Sequence, residues 1–359
     1  MKILDRYLLR EFFLYLLLGL VGFIAIFVAV DIIEKANVFL DHHAPLALIA
    51  RFYLYRAPEV VVQVLPVALL LATFLALGQL NKFGELTAMR TAGLSLLRIL
   101  VPVFALAAAS AVADLAIGEL AVPGANRERD RIFREQIQRL TLEDSPERAD
   151  VTYLGQGGRI YYIRLYDKRA RRMQEVSLQE FRDGELVRRL DAAEGTWDGR
   201  RWVFHTGYLR SFERGAEHAE PFDALAVDGL AERPEDFAEQ TPRPEEMNFV
   251  ELRNYVDRLR ASGARVENFV VDLHLKLAFP MVNFIVVLIG ASLATRLRTQ
   301  SAALGFGLSV LIAFLYYAFM RTGQALGHNG ALPPYVAAWL GDVVFGVVGV
   351  TMVARASRD

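Results

Sequence analysis

NKFGELTAMRTAGLS, residues 81–95, separates two long apolar runs and belongs to neither. Glu85 to Met89 are good helix formers, and Gly93 is placed to stop a helix. A helix here has about two turns, too short to cross a bilayer at ~1.5 Å rise per residue. The stretch reads as a short, charged helix held between two membrane segments. That reading makes the flanking runs spans and not core helices of a soluble protein.

Working outward, the chain has 359 residues, 54% of them apolar. Roughly two thirds of its charged residues fall within 125–268, well under half of the length. Six apolar windows reach the spanning length of about 18 to 20 residues. They run approximately over 12–30, 60–80, 99–120, 269–293, 302–319 and 332–353. Lys2, Arg6 and Arg10 precede the first, as in a signal peptide, but its run is too long for a signal core and no small-x-small site follows. It is therefore expected to be an uncleaved helix. With the N-terminus inside, the inner segments carry Lys2, Arg6, Arg10, Lys82, Arg90, Arg98, Arg296, Arg298, Arg355 and Arg358. The short outer segments carry only Lys35, Arg51, Arg56 and Arg321. The basic excess places both termini in the cytoplasm and the central domain outside.

Within that domain, 126–140 reads as a charged helical extension of the third membrane helix. The period then becomes alternating. RIYYIRLYD, residues 159–167, and MQEVSLQEF, residues 173–181, are strand candidates, and Asp183-Gly184 and Asp198-Gly199 are hairpin turns. Trp197 and Trp202 flank the second turn as cross-strand partners. These signals predict an antiparallel sandwich or roll. From Pro244 the pattern returns to an amphipathic helix, with Phe249, Leu252, Tyr255, Val256 and Leu259 on one face and Gly263 at its end.

The absences are informative. The net charge of −1 gives no argument for nucleic acid, and zero cysteines exclude disulfides, thiolate catalysis and zinc–thiolate sites. No GxxxxGK[ST], HExxH or GxSxG motif occurs, so the chain is not expected to hydrolyse ATP itself. His42 and His43 are adjacent, cannot share a helix face and have no framing carboxylates, so no metal and no cofactor are expected. Charges at membrane depth each cost several kcal/mol unless paired or solvated. Asp272 and Lys276 lie four apart and are expected to pair on their own helix, whereas Asp342 needs a partner from another helix or water. Outside, Lys35, Arg51, Arg56, Arg131 and Arg134 converge by topology. They are read either as an anion-binding cluster or as solvated charge with Glu128, Asp130 and Glu135 as local partners.

The order of elements, the LDRY start at 4–7, and three stretches together resemble a known family. The stretches are VLPVALLLATFLALGQLNKFGELTAMRTAGLS, YVDRLRASGARVENFVVDLHLKLAFP and ALPPYVAAWL. The chain resembles the lipopolysaccharide-export permeases LptF/LptG over essentially its whole length, with LDRY leaning toward LptG. The resemblance implies an α+β membrane protein of six transmembrane helices in two groups of three, with a periplasmic antiparallel β-jellyroll-like domain between helices 3 and 4. In this chain that means 1–124 with a coupling helix at about 84–93, then 125–265, then 266–359. It implies an inner-membrane subunit that extracts lipopolysaccharide, an LptF-like permease or second copy as partner, an LptB-like cytoplasmic ATPase dimer, and LptC/LptA-like periplasmic jellyroll proteins. Glu85, Met89 and Gly93 match the family's coupling-helix spacing, and Arg90 lies among them. Lys35, Arg131 and Arg134 occupy positions comparable to its phosphate contacts. Gly341-Asp342 departs from the Pro-Asn pair common in the family, which makes Asp342 a hydrogen-bonding position more than a proton relay. Competing readings are a lipoprotein-releasing or mechanical-transmission permease, which six spans argue against, and a membrane-anchored scaffold. An intramembrane enzyme is disfavoured because Asp272, Lys276 and Asp342 form no catalytic set.

Overall fold

The computed structural model describes residues 3–138, 147–155, 157–182, 185–213, 216–227, 229–238, 243–261, 266–296 and 302–356. Lys2, Leu140, Gly263, Arg298, Arg358 and the Asp183-Gly184 turn lie outside them. Two compact units result: 1–132 with 267–359, and 133–266.

The first unit is helical: α1 Ile3–Asp41, α2 Leu46–Lys82, α3 Glu85–Thr91, α4 Leu96–Leu120, α5 Val122–Arg131, then α8 Glu267–Arg296, α9 Ala302–His328 and α10 Pro334–Ala356. Six of these (α1, α2, α4, α8, α9, α10) are long and apolar enough to cross a membrane. α2 and α8 are the most enclosed, whereas α1 and α9 keep most of their apolar surface exposed, as a lipid-facing helix does. The core runs from Leu8, Phe12 and Leu16 of α1 through Leu69, Leu70 and Leu77 of α2 to Val286 and Val287 of α8. Pro66 lies inside α2 and removes one rung of the backbone ladder. Close to that break, the Tyr317 hydroxyl of α9 donates to the Gln63 carbonyl at 2.9 Å.

α3 is framed by two glycines in the left-handed region, Gly84 (φ 73°) before it and Gly93 (φ 84°) after it. Leu94 N–H bonds Met89 O at 3.2 Å across Gly93, closing the last turn. Ser95 then caps α4, its hydroxyl oxygen accepting from Arg98 N–H at 3.3 Å.

Among the described residues the second unit holds one antiparallel sheet of six strands, β1 Glu147–Leu154, β2 Arg159–Asp167, β3 Arg172–Arg182, β4 Glu185–Trp197, β5 Trp202–Glu213 and β6 Ala216–Val227. Each strand pairs with its sequence neighbour, so the order is β1-β2-β3-β4-β5-β6. Trp197 and Trp202 face each other across the Asp198-Gly199 turn, edge to face at 5.3 Å, as expected of cross-strand partners. Glu175 and Thr206 take left-handed φ values of 47° and 51°. The ladder pauses at that row without changing register, since Gln174 pairs Glu194 and Val176 pairs Ala192 on either side. A short helix, α6 Pro234–Ala238, lays Phe237 against Tyr153, Tyr161, Tyr166 and Trp202 of the sheet core. Here Tyr161 donates to Glu232 at 2.9 Å and Trp202 Nε1 donates to the Glu232 carbonyl at 2.9 Å, so the buried Glu232 is hydrogen-bonded. Burial and the neighbouring Glu232 push the Tyr161 hydroxyl up, keeping it a proton donor. The expected helical extension at 126–140 is α5 followed by a π-helical turn, Ile132–Ile137. The amphipathic helix is α7, Phe249–Ala261, with Leu252, Val256 and Leu259 buried.

Candidate functional site

Three groups of side chains carry the chemistry. At one end of the helical unit, α3 buries Leu86 and Met89 in the core and exposes Thr87, Arg90 and Thr91. Glu85 stands at its first turn, and Tyr7 of α1 donates to it at 3.4 Å, a long bond. Of the four residues expected to form a docking contact, Met89 is buried and Glu85 half-buried, while Arg90 and Gly93 are exposed. Phe83, 66% exposed beside them, was not singled out from the sequence. Its signal was an aromatic residue in an otherwise polar connector.

At the opposite end, α1, α2 and α5 meet through charge. Asp31 on α1 is buried and accepts from Lys35 at 2.5 Å and from the Tyr53 hydroxyl at 2.8 Å, with Arg56 in ion-pair contact at 3.0 Å. Arg56 lies over the Phe27 ring, 5.4 Å from its centroid. Its Nε is buried without a hydrogen-bond acceptor among the described residues. Glu128 on α5 receives Arg51 at 3.0 Å and Arg131 at 2.7 Å, and Arg129 bridges Glu59 and Asp130. Lys35, Arg51, Arg56, Arg129 and Arg131 thus pair with Asp31, Glu59, Glu128 and Asp130. Arg134 falls in the π-helical turn, in the second unit. Asp31 was missed from the sequence. It lies one residue beyond the first apolar window, where a carboxylate reads as an ordinary helix-end charge.

Between these ends, polar pairs join the helices. The expected Asp272–Lys276 pair does not form. Lys276 instead lies 3.7 Å from Glu119 on α4, and Asp272 accepts from Gln324 of α9 at 2.9 Å with His328 Nε2 at 3.0 Å. Packed neighbours on other helices supply partners nearer than an i,i+4 residue whose side chain must reach along its own helix. Asp342 finds its partner on another helix, as it must: Tyr316 of α9 donates to it at 2.5 Å. Asp114, also buried, accepts from Asn283 of α8 at 2.9 Å. It was overlooked in the sequence, although it is the one acid well inside the 99–120 window. None of these groups forms a metal cluster among the described residues.

The sequence matches the family described as "Lipopolysaccharide export system permease LptF/LptG" over residues 6–355. The chain belongs to this family. No curated protein sequence matches it. As a member of the LptF/LptG family it is a permease and not an enzyme, and its six apolar helices fit a multi-pass inner-membrane protein. The match does not divide LptF from LptG.

Proposed function

We propose that this permease extracts lipopolysaccharide from the inner membrane, together with an LptF-like partner or a second copy, and hands it to LptC/LptA-like jellyroll proteins in the periplasm. In this reading both termini and α3 are cytoplasmic, and the β-unit is periplasmic. The LDRY start favours the LptG role. Energy comes from a separate LptB-like ATPase dimer docked on α3.

The observation that carries this reading is the division of labour on α3. Leu86 and Met89 fix it to the helical core while Glu85, Arg90 and the exposed Phe83 remain available to a partner. An apolar anchor ringed by charge is the usual composition of a protein contact. At the other end, the Arg56 Nε–H, without an acceptor among the described residues, favours an anionic head group with Lys35 and Arg131 as phosphate contacts, and Arg134 keeps the phosphate role that the family resemblance gives it. Glu85→Lys is expected to release the ATPase during purification while the chain still inserts. Arg134→Glu is expected to lower lipopolysaccharide photocrosslinking. Full ATPase recovery in the first variant and unchanged crosslinking in the second would remove these two assignments.

A further inference from the structure

The first turns of α1 contact both α3 and the start of α4. Arg98 Nη1 and Nη2 donate to Asp5 Oδ1 and Oδ2, both at 3.0 Å, a bidentate pair of fixed orientation. Arg98 sits in the first turn of α4, three residues beyond Ser95, where the chain leaving α3 re-enters the helical core. Tyr7, two positions after Asp5, reaches Glu85 at the opposite end of α3. The LDRY segment therefore contacts Glu85, the first residue of α3, and Arg98, in the first turn of the helix that follows α3. Neither contact is needed for α1 to be a membrane helix, because Leu8, Phe12 and Leu16 already bury it against α2.

α1 carries these contacts the length of the unit. It is one proline-free helix from Ile3 to Asp41. Asp5 and Asp31 are 26 positions apart, about 39 Å along the axis at ~1.5 Å per residue. Its far end is held by a second polar latch, Asp31 with Arg56 and Tyr53 of α2. The helix is thus pinned by charge at both ends and by apolar packing between them, with much of its remaining surface free. A rod of this kind passes a displacement at one latch to the other, provided the first latch holds.

We propose that Asp5 and Arg98, assisted by Tyr7, are positioning residues that couple α3 to α1, so that movement of the docking helix shifts α1 and the Asp31–Lys35–Arg56 cluster at its other end. The inference rests on α3 receiving an ATPase. It adds the path by which the received movement leaves α3. Arg98 holds α1 where α4 begins, and the Leu94 N–H bond to Met89 O ties that point to the end of α3.

The test uses the complete permease–ATPase complex in proteoliposomes containing lipopolysaccharide. Three quantities are measured: ATPase retained on the permease, ATP hydrolysed, and lipopolysaccharide extracted per ATP. Asp5→Asn and Arg98→Gln are each expected to retain the ATPase and its hydrolysis while lowering extraction per ATP by about fivefold or more. The exchanged pair Asp5→Arg with Arg98→Asp is expected to restore most of the ratio, which a general folding defect does not allow. Asp5→Glu, which keeps the charge, is expected to stay near the parent. Extraction per ATP unchanged in Asp5→Asn overturns the proposal. So does release of the ATPase by Asp5→Asn, because the grip then serves docking and not transmission. A parent complex that holds no ATPase, or a Glu85→Lys variant that holds it fully, strikes the docking reading instead.

Discussion

The Asp31 carboxylate lies 3.0 Å from the Arg56 guanidinium and binds α1 to α2 near the end of α1. Asp31 also accepts hydrogen bonds from Lys35 and Tyr53, so one buried acid takes two hydrogen bonds and an ion pair. Asp31→Ala is expected to leave two partly buried cations without a counter-charge. The loss is about 1.5–3 kcal/mol, from hydrogen bonds to a charged group. A lowered Tm of the detergent-solubilised permease measures it, and adding Arg56→Ala to the same chain is expected to recover part of the loss.

Tyr316→Phe removes the hydrogen bond that Asp342 Oδ1 accepts, and Asp342 Oδ2 already has no partner among the described residues. The carboxyl is then buried with neither oxygen bonded, at a cost of about 1–3 kcal/mol. Removing the acid as well, in Tyr316→Phe with Asp342→Ala, is expected to cost less than the single change. A double-mutant cycle of thermal stability reads the difference directly.

Phe237 is fully buried, with Tyr153, Tyr161, Trp202 and Tyr166 packed around its ring at 4.9, 5.0, 5.6 and 5.8 Å. Phe237→Ala is expected to destabilise the β-unit by about 3–5 kcal/mol. The emission of Trp202 and Trp197 reports the change during denaturant titration. An unchanged midpoint would mean that α6 contributes no packing to the sheet.

Backbone N–H groups of Arg201 and Arg200 hold the Asp198 carboxyl below the usual carboxylate range. Its folded pKa is therefore below its unfolded value of about 3.9. The sign follows: the turn's stabilisation is complete above about pH 4 and disappears as pH falls through the folded value. Amide exchange at Arg200 and Arg201 is expected to speed up in acid, and Asp198→Ala to abolish that acid dependence.

The parts of the fold legible from sequence are those written locally. Gly84 and Gly93 frame α3 within a dozen residues, so the helix and its end could both be read from the chain. Asp198-Gly199 similarly fixes the register that brings Trp197 to Trp202. The buried charges were legible as charges but not as pairs. Asp114 and Asn283 are 169 positions apart, and nothing near either residue names the other. Lys276 shows the same limit: its own helix offers Asp272, yet the packing of α8 on α4 brings Glu119 within reach. The orientation of α3 was not legible for a related reason. Met89 fits a helix of either orientation, and only the packing of α3 turns it inward.

The central claim is that this permease moves lipopolysaccharide out of the inner membrane, and depletion of the chain tests it most directly. Cells depleted of it are fractionated, and lipopolysaccharide is measured in the inner membrane and at the cell surface. Accumulation in the inner membrane, with a matching loss at the surface that is rescued by the parent chain, is the predicted result. An unchanged distribution after full depletion would contradict the account.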